Sequence, residues 1–211
     1  MFYSIASMAV RFLLVLLTRS RVEGLENLPR GGPFLLVANH LNLIDPPVLG
    51  ALLPRKITFM AKDELFRVPL LGWVVRWYGA FAVRRGQPDR EALRRAIAVL
   101  NRGGVLGVFP EGTRSKTGRL NRGQPGAALV ALLANATIVP VALVGTDLVK
   151  SPLSLLNRPQ ITVRVGKPFT LQKGREGKPD LDALTGVMMS RVAALLPEEL
   201  RGFYGDTDQQ G

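Results

Sequence analysis

The chain contains no cysteine and a single histidine, His40. The first absence excludes disulfides, a thiolate nucleophile and cysteine-based metal sites. The second argues against a catalytic zinc centre, which normally draws on several histidine or cysteine ligands. Acid is scarce as well. Sixteen Asp and Glu stand against 28 Lys and Arg, a formal net charge of +12 with a pI near 11.0. Such an excess points to a polyanionic partner, whether nucleic acid, an anionic membrane surface or a phosphorylated substrate. Basic residues run along most of the sequence rather than forming one stripe, and no nucleic-acid-binding motif appears, so no nucleic acid partner is expected. Internal repeats and low-complexity segments are also missing. With 47% hydrophobic and 21% charged residues, the 211-residue chain reads as one globular domain with a full core.

What is present centres on residues 35–49, LLVANHLNLIDPPVL. The apolar run at Leu35, Leu36 and Val37 reads as the end of a buried strand. Asn39 and His40 leave it, and five residues past His40 comes Asp45, followed by Pro46 and Pro47. Asp45 suits a helix N-cap, with Pro46 at the first helical position and Val48, Leu49, Leu52 and Leu53 continuing at helical spacing. On one continuous helix, residues five apart would not share a face. Across a strand–loop–helix turn they can meet, and the carboxylate can then fix the imidazole tautomer. His40 is the one side chain whose ordinary pKa suits acid–base chemistry near neutral pH. A plain N-cap aspartate beside a hydrogen-bonded loop histidine fits the same residues.

Strands are predicted over Phe34–Ala38, Ile57–Ala61, Gly79–Val83, Val105–Phe109, Ile138–Val144 and Ile161–Val165. Pro140 argues for an edge or a bulge. Helices are predicted after Asp45, over 69–78, from Pro88 to about Leu100, over 127–134 and over 181–196, and residues 23–33 read as turns. Trp73 and Trp77, four apart, are expected in the core, with the wall of an apolar channel as the functional alternative. The alternation predicts an α/β fold, a single domain with a mixed, largely parallel sheet flanked by helices. Ligands then gather outside the carboxyl ends of the strands, where His40–Asp45, Lys62, Arg84–Arg85 and Glu111–Arg114 fall.

Residues 1–17 are almost wholly apolar, and Ser4, Ser7, Arg11 and Thr18 fall on one helical stripe. Such a helix rises about 25 Å, short of the roughly 30 Å hydrocarbon core. No basic region precedes it and no small-residue cleavage site follows, which argues against a secretory signal. The stripe and the following Arg19 and Arg21 favour an in-plane membrane anchor over a marginal span or a core helix. The division expected is residues 1–21 as the membrane-associated helix, 22–205 as the domain and 206–211 as a loose tail.

Four blocks together carry a family resemblance. Residues 39–45 (NHLNLID) resemble the NHxxxxD signature of the glycerolipid acyltransferases. Residues 79–85 (GAFAVRR) resemble their second block, 109–115 (FPEGTRS) match the third, and 139–143 (VPVAL) resemble the fourth. The blocks occur in family order, and Asn42 stands where a serine is common. Among such enzymes the chain is most similar to the 1-acyl-sn-glycerol-3-phosphate acyltransferases. That resemblance implies acyl transfer to the sn-2 hydroxyl of lysophosphatidic acid, giving phosphatidic acid. The co-substrate is an acyl-CoA or acyl carrier protein thioester, and no cofactor or metal is implied. The implied site has His40 as general base and Asp45 orienting it. Phosphate and glycerol would be held by Lys62, Arg84, Arg85, Glu111, Gly112, Thr113 and Arg114, with Arg114 foremost. Glu111 would repel phosphate, so it is expected to orient an arginine or accept from the glycerol hydroxyl. Any one of the basic residues alone also fits a solvated surface charge. The expected location is the cytoplasmic face of the cell membrane, peripheral or monotopic. Two other readings remain open: an acyltransferase for another lysophospholipid, and a non-catalytic basic membrane-binding module.

Overall fold

The computed structural model describes residues 2–69, 71–84, 89–172 and 178–205. Arg85 and the 206–211 tail therefore lie outside the described residues, as does the Trp77 side chain. Seven strands form one sheet: β1 (Arg19–Glu23), β2 (Phe34–Ala38), β3 (Ile57–Lys62), β4 (Phe81–Val83), β5 (Val105–Val108), β6 (Ile138–Val144) and β7 (Gln160–Val165). Their order across the sheet is β1-β7-β6-β2-β5-β3-β4. Strands β2 to β6 are mutually parallel, β7 runs antiparallel to β6, and β1 pairs parallel with β7. The carboxyl ends of five strands thus share one edge of a mixed, mostly parallel sheet.

Helices cover both faces, which is why β2 is apolar at every position. Leu35 and Val37 point into a core shared with α4 (Arg90–Asn101), α5 (Gly126–Leu133) and α6 (Leu181–Ala193). Phe34, Leu36 and Ala38 point to the other side, beneath α1 (Phe2–Leu17) and α2 (Asp45–Leu52). A short helix α3 (Leu71–Trp77) packs near the β3–β4 end, behind a 3₁₀ turn at Asp63–Phe66. Trp73 is exposed rather than in the core, because this short helix turns Trp73 and Val74 outward.

Strand β1 escapes sequence reading. Four of its five residues are polar, and as an edge strand it is held by pairing rather than by an apolar face. Arg21 Nε donates to Thr162 Oγ1, and Arg164 Nε donates to Glu23 Oε2. The helix thus ends at Leu17 and the sheet begins at Arg19, so a boundary at residue 21 cuts through a strand.

Pro140 lies in an interior strand, not at an edge, since β6 sits between β2 and β7. Its missing N–H is accommodated by a bulge in the partner. Three steps along β6, from Val141 to Ile138, face four along the returning chain, from Val165 to Phe169.

Helix α1 has 16 residues, and no helix among those described is long and apolar enough to cross a membrane. Leu14 and Thr18 turn inward, Thr18 Oγ1 donating to the Leu14 carbonyl. Ile5, Met8, Phe12, Leu13, Val15 and Leu16 are exposed, so the outer side of this helix is its apolar side.

Candidate active site

The chain leaves β2 through Asn39, whose side chain imitates a peptide unit. Asn39 Nδ2 donates to the Leu143 carbonyl (2.9 Å), and the Leu143 N–H donates back to Oδ1 (2.7 Å), so the loop is zipped to β6. His40 follows, buried and stacked on Phe109 with ring centroids 4.2 Å apart. Phe109 in turn stacks on Phe59, at 5.8 Å. Phe59 reaches that position because residue 107 on the neighbouring strand is glycine. A Cβ there would come within 2.4 Å of the Phe59 ring.

Asp45 is the first residue of α2, and the N-cap position belongs to Ile44, which differs from the sequence expectation. The Asp45 carboxylate reaches back over its own loop instead of forward into the helix. Its Oδ2 accepts from the Leu41 N–H (2.7 Å), the Asn42 N–H (2.8 Å) and His40 Nδ1 (2.8 Å). One oxygen facing two obligate N–H donors can only accept, so Nδ1 of His40 is the donor in this pair, and in the neutral ring the lone pair is on Nε2. The carboxylate is wholly buried, which makes its charge effective at short range.

The loop after β5 closes on the same histidine. The His40 N–H donates to Glu111 Oε1 (2.7 Å), and the Ser115 N–H donates to the His40 carbonyl (2.7 Å). Glu111 Oε2 accepts from both the backbone N–H and Nδ2 of Asn121. Among the described residues neither Glu111 oxygen meets an arginine, the first of the two roles expected for it. The carboxyl is a strut between the two loops. Burial pushes its pKa up to about 7 against the pull of these three donors.

Gly112 has φ 69° and its N–H donates to the Phe109 carbonyl, closing a tight turn that only glycine adopts at no cost. The N–H groups of Thr113 and Arg114 have no hydrogen-bond partner among the described residues, and both side chains are exposed. Lys62 ends β3 and pairs with Glu64 (2.8 Å), while Arg84 follows β4 with Asp89 at 3.6 Å. By strand spacing they lie about 10 Å and about 14 Å from the line of β2 along the shared edge.

Sequence reasoning gave no role to Asn39, Asn42, Phe109 or Asn121. Asn42 Nδ2 donates to both the Thr146 and Val149 carbonyls (2.9 and 2.8 Å), tying the His40–Asp45 loop to the segment after β6. The signal for Asn39 and Phe109 was their place inside the motifs. For Asn121 there was none.

This geometry agrees with what the chain is similar to. Residues 19–144 match the Acyltransferase family. A 1-acyl-sn-glycerol-3-phosphate acyltransferase of Bacillus subtilis is 32% identical over 169 residues, covering 79% of this chain and 82% of that protein. The chain belongs to the 1-acyl-sn-glycerol-3-phosphate acyltransferase family. The chloroplastic enzyme of that name, LPAT1, from Arabidopsis thaliana is 35% identical over 153 residues, which is 70% of this chain but 43% of the plant protein. The chain therefore spans less than half the length of that relative. The crystal structure of the 1-acyl-sn-glycerophosphate (LPA) acyltransferase PlsC from Thermotoga maritima superposes with a TM-score of 0.70 at 26% identity, over 92% of this chain and 79% of that one. An acyltransferase with the histidine–aspartate pair buried at the carboxyl edge of its sheet is thus the frame for the chemistry below.

Proposed function

We propose that this acyltransferase moves a fatty acyl group from an acyl-CoA or acyl carrier protein thioester to the sn-2 hydroxyl of 1-acyl-sn-glycerol-3-phosphate, giving phosphatidic acid. The observation that carries the reading is His40 with Nδ1 held by buried Asp45 and Nε2 left as a base. A neutral alcohol attacks a thioester slowly because its proton must leave as the C–O bond forms. Nε2 takes that proton, and the Asp45 charge stabilises the resulting imidazolium. The tetrahedral intermediate then collapses with cleavage of the C–S bond, and the imidazolium returns the proton to the departing thiolate. No enzyme nucleophile is required, in keeping with a chain that has no cysteine.

Arg114 supplies the primary phosphate contact in this scheme, because its turn is bonded to the His40 carbonyl through Ser115. Its guanidinium can grip phosphate through two parallel hydrogen bonds. The N–H groups of Thr113 and Arg114, on the turn made by Gly112, are available to an anionic oxygen. Lys62 and Arg84 extend the positive rim, Arg84 from the outer strand, and Arg85 continues it in the sequence. Glu111 serves by holding the two loops together rather than by touching substrate.

The exposed apolar side of α1 supports attachment to the inner leaflet, the helix lying in the interface without crossing it. Since β1 starts at Arg19, deleting residues 1–21 would remove part of the sheet too. Met8→Ser with Phe12→Ser is the cleaner test. Both residues are exposed, so membrane retention should fall while the melting temperature holds; unchanged retention would count against α1 as the anchor.

The reaction is tested with purified protein, lysophosphatidic acid and labelled palmitoyl-CoA, following phosphatidic acid and free CoA. Lysophosphatidylcholine and monolysocardiolipin as alternative acceptors should turn over more slowly, since the cationic turn favours a terminal phosphomonoester. Equal rates on lysophosphatidylcholine would move the assignment to another lysophospholipid. Vesicle binding without any turnover would leave a basic membrane module.

A further inference from the structure

The segment after β6 presents an apolar surface that the reaction does not use. Leu148 is 52% exposed, and Leu153 and Leu156 are each 74% exposed, on a 3₁₀ turn at Pro152–Asn157. The turn is built rather than loose. The Ser151 N–H donates to Ser154 Oγ (2.9 Å), and the Ser154 N–H donates to the Ser151 carbonyl (3.0 Å). A braced turn that holds two leucines in water is one whose apolar face has another destination.

Its two ends are tied to functional elements. At one end Arg158 Nη2 reaches the Val15 carbonyl, beside the outer side of α1 where Phe12 and Leu16 are exposed. At the other, the Thr146 and Val149 carbonyls accept from Asn42, two residues from His40. The charge around this surface is mostly positive, Asp147 beside Leu148 and Glu23 at the end of the first stretch being the nearest acids in sequence. Residues 2–22 and 148–158 contain no Asp or Glu. Their Arg11, Arg19, Lys150 and Arg158 have no carboxylate partner among the described residues. Apolar side chains ringed by unpaired cations match an anionic bilayer, in which the leucines enter the acyl region and the cations meet headgroups.

We propose that residues 148–158 form a second bilayer contact, inserting Leu153 and Leu156 beside α1 so that the catalytic loop is held at the lipid surface through Asn42. This rests on the membrane attachment of α1 given above and adds a separate element to it. With only one amphipathic helix the molecule could pivot about the helix axis. A second contact beside it fixes which edge of the sheet meets the lipid from which acceptor and acyl chains arrive.

The test uses the full chain with vesicles of three parts phosphatidylglycerol to one part phosphatidylcholine. Leu153→Ser with Leu156→Ser should lower the vesicle-bound fraction at least fivefold in sedimentation. It should slow turnover of lysophosphatidic acid carried in the vesicles by a similar factor. Turnover of a water-soluble short-chain lysophosphatidic acid and the melting temperature should be unchanged. The Leu156→Trp variant should shift its emission to the blue with vesicles and be quenched by brominated acyl chains. Undiminished binding of the double variant, or emission from Leu156→Trp that ignores the vesicles, overturns the proposal. If Met8→Ser/Phe12→Ser alone releases the protein, the α1 anchor stands and the second contact falls; if neither pair matters, both fall. A dimer abolished by the leucine substitutions, with no effect on vesicle binding, would assign the patch to a second copy and overturn the proposal too.

Discussion

At the scale of single residues, the site is organised by two buried carboxylates with opposite duties. Asp45 gathers three donors onto one oxygen, and in the proposed reaction it steadies the imidazolium. His40→Ala should therefore lower kcat about 10³-fold, the usual worth of a positioned general base, and cost about 1–3 kcal/mol of stability through the partner it takes from buried Asp45. Asp45→Asn leaves an amide oxygen to accept these N–H groups but removes the charge and puts an NH2 where Oδ1 is buried without a partner among the described residues. It should cost about 1–3 kcal/mol of stability, read by urea unfolding, as well as most of kcat. Glu111 bridges loops instead, and burial raises its pKa from 4.5 to about 7. The folded chain then binds more protons than the unfolded chain between those values. Stability from this group is present below pH 4.5 and declines as pH rises toward 7. Glu111→Gln should flatten that part of the melting-temperature profile; an unaltered slope would show that the carboxyl is not the group titrating. Arg114→Ala should raise KM for lysophosphatidic acid about tenfold or more, the loss of a bidentate charged contact, with KM for acyl-CoA unchanged.

At the scale of elements, β5 does more than pair its neighbours. Gly107 lets Phe59 lie against the strand, Phe59 supports Phe109, and Phe109 is the floor on which the His40 ring stacks. Gly107→Ala should push this stack toward the imidazole. A destabilisation of about 1–3 kcal/mol, as for overpacking elsewhere in cores, should accompany a lower kcat; a fully active, equally stable variant would show that the stack has room to move. The elements themselves were unevenly legible. Strand β2 and strand β6 were read to the residue, because burial on both faces demands an unbroken apolar run. Strand β1 was not, because RSRVE has no such run and is defined by a partner 141 residues away. The Asp-Pro-Pro spacing predicts a helix cap at Asp45, yet its Oδ2 is taken by its own loop, a choice made by where His40 stands.

At the scale of the whole molecule, the proposed bilayer contacts join the positive charge to the two exposed apolar surfaces. With a net charge of +12, turnover on anionic vesicles should fall as salt is raised from about 0.05 to about 0.5 M, where the screening length drops below about 5 Å. Turnover of a soluble acceptor should fall less, because only the phosphate contact is then screened. The sequence by itself determined the α/β class, the strand-end placement of His40 and Arg114, and the single imidazole on which the proposed base role rests, since composition left one histidine and no thiol. Local spacing is enough for these, because burial period and residue chemistry are properties of short stretches. Only the tertiary structure decided that Glu111 braces the His40 loop rather than holding an arginine. The same holds for Asn42 joining that loop to residues 146–149 and for the apolar side of α1 facing outward. Each of these depends on which distant chain lies within hydrogen-bonding reach or covers a face, and short-range spacing carries no record of that.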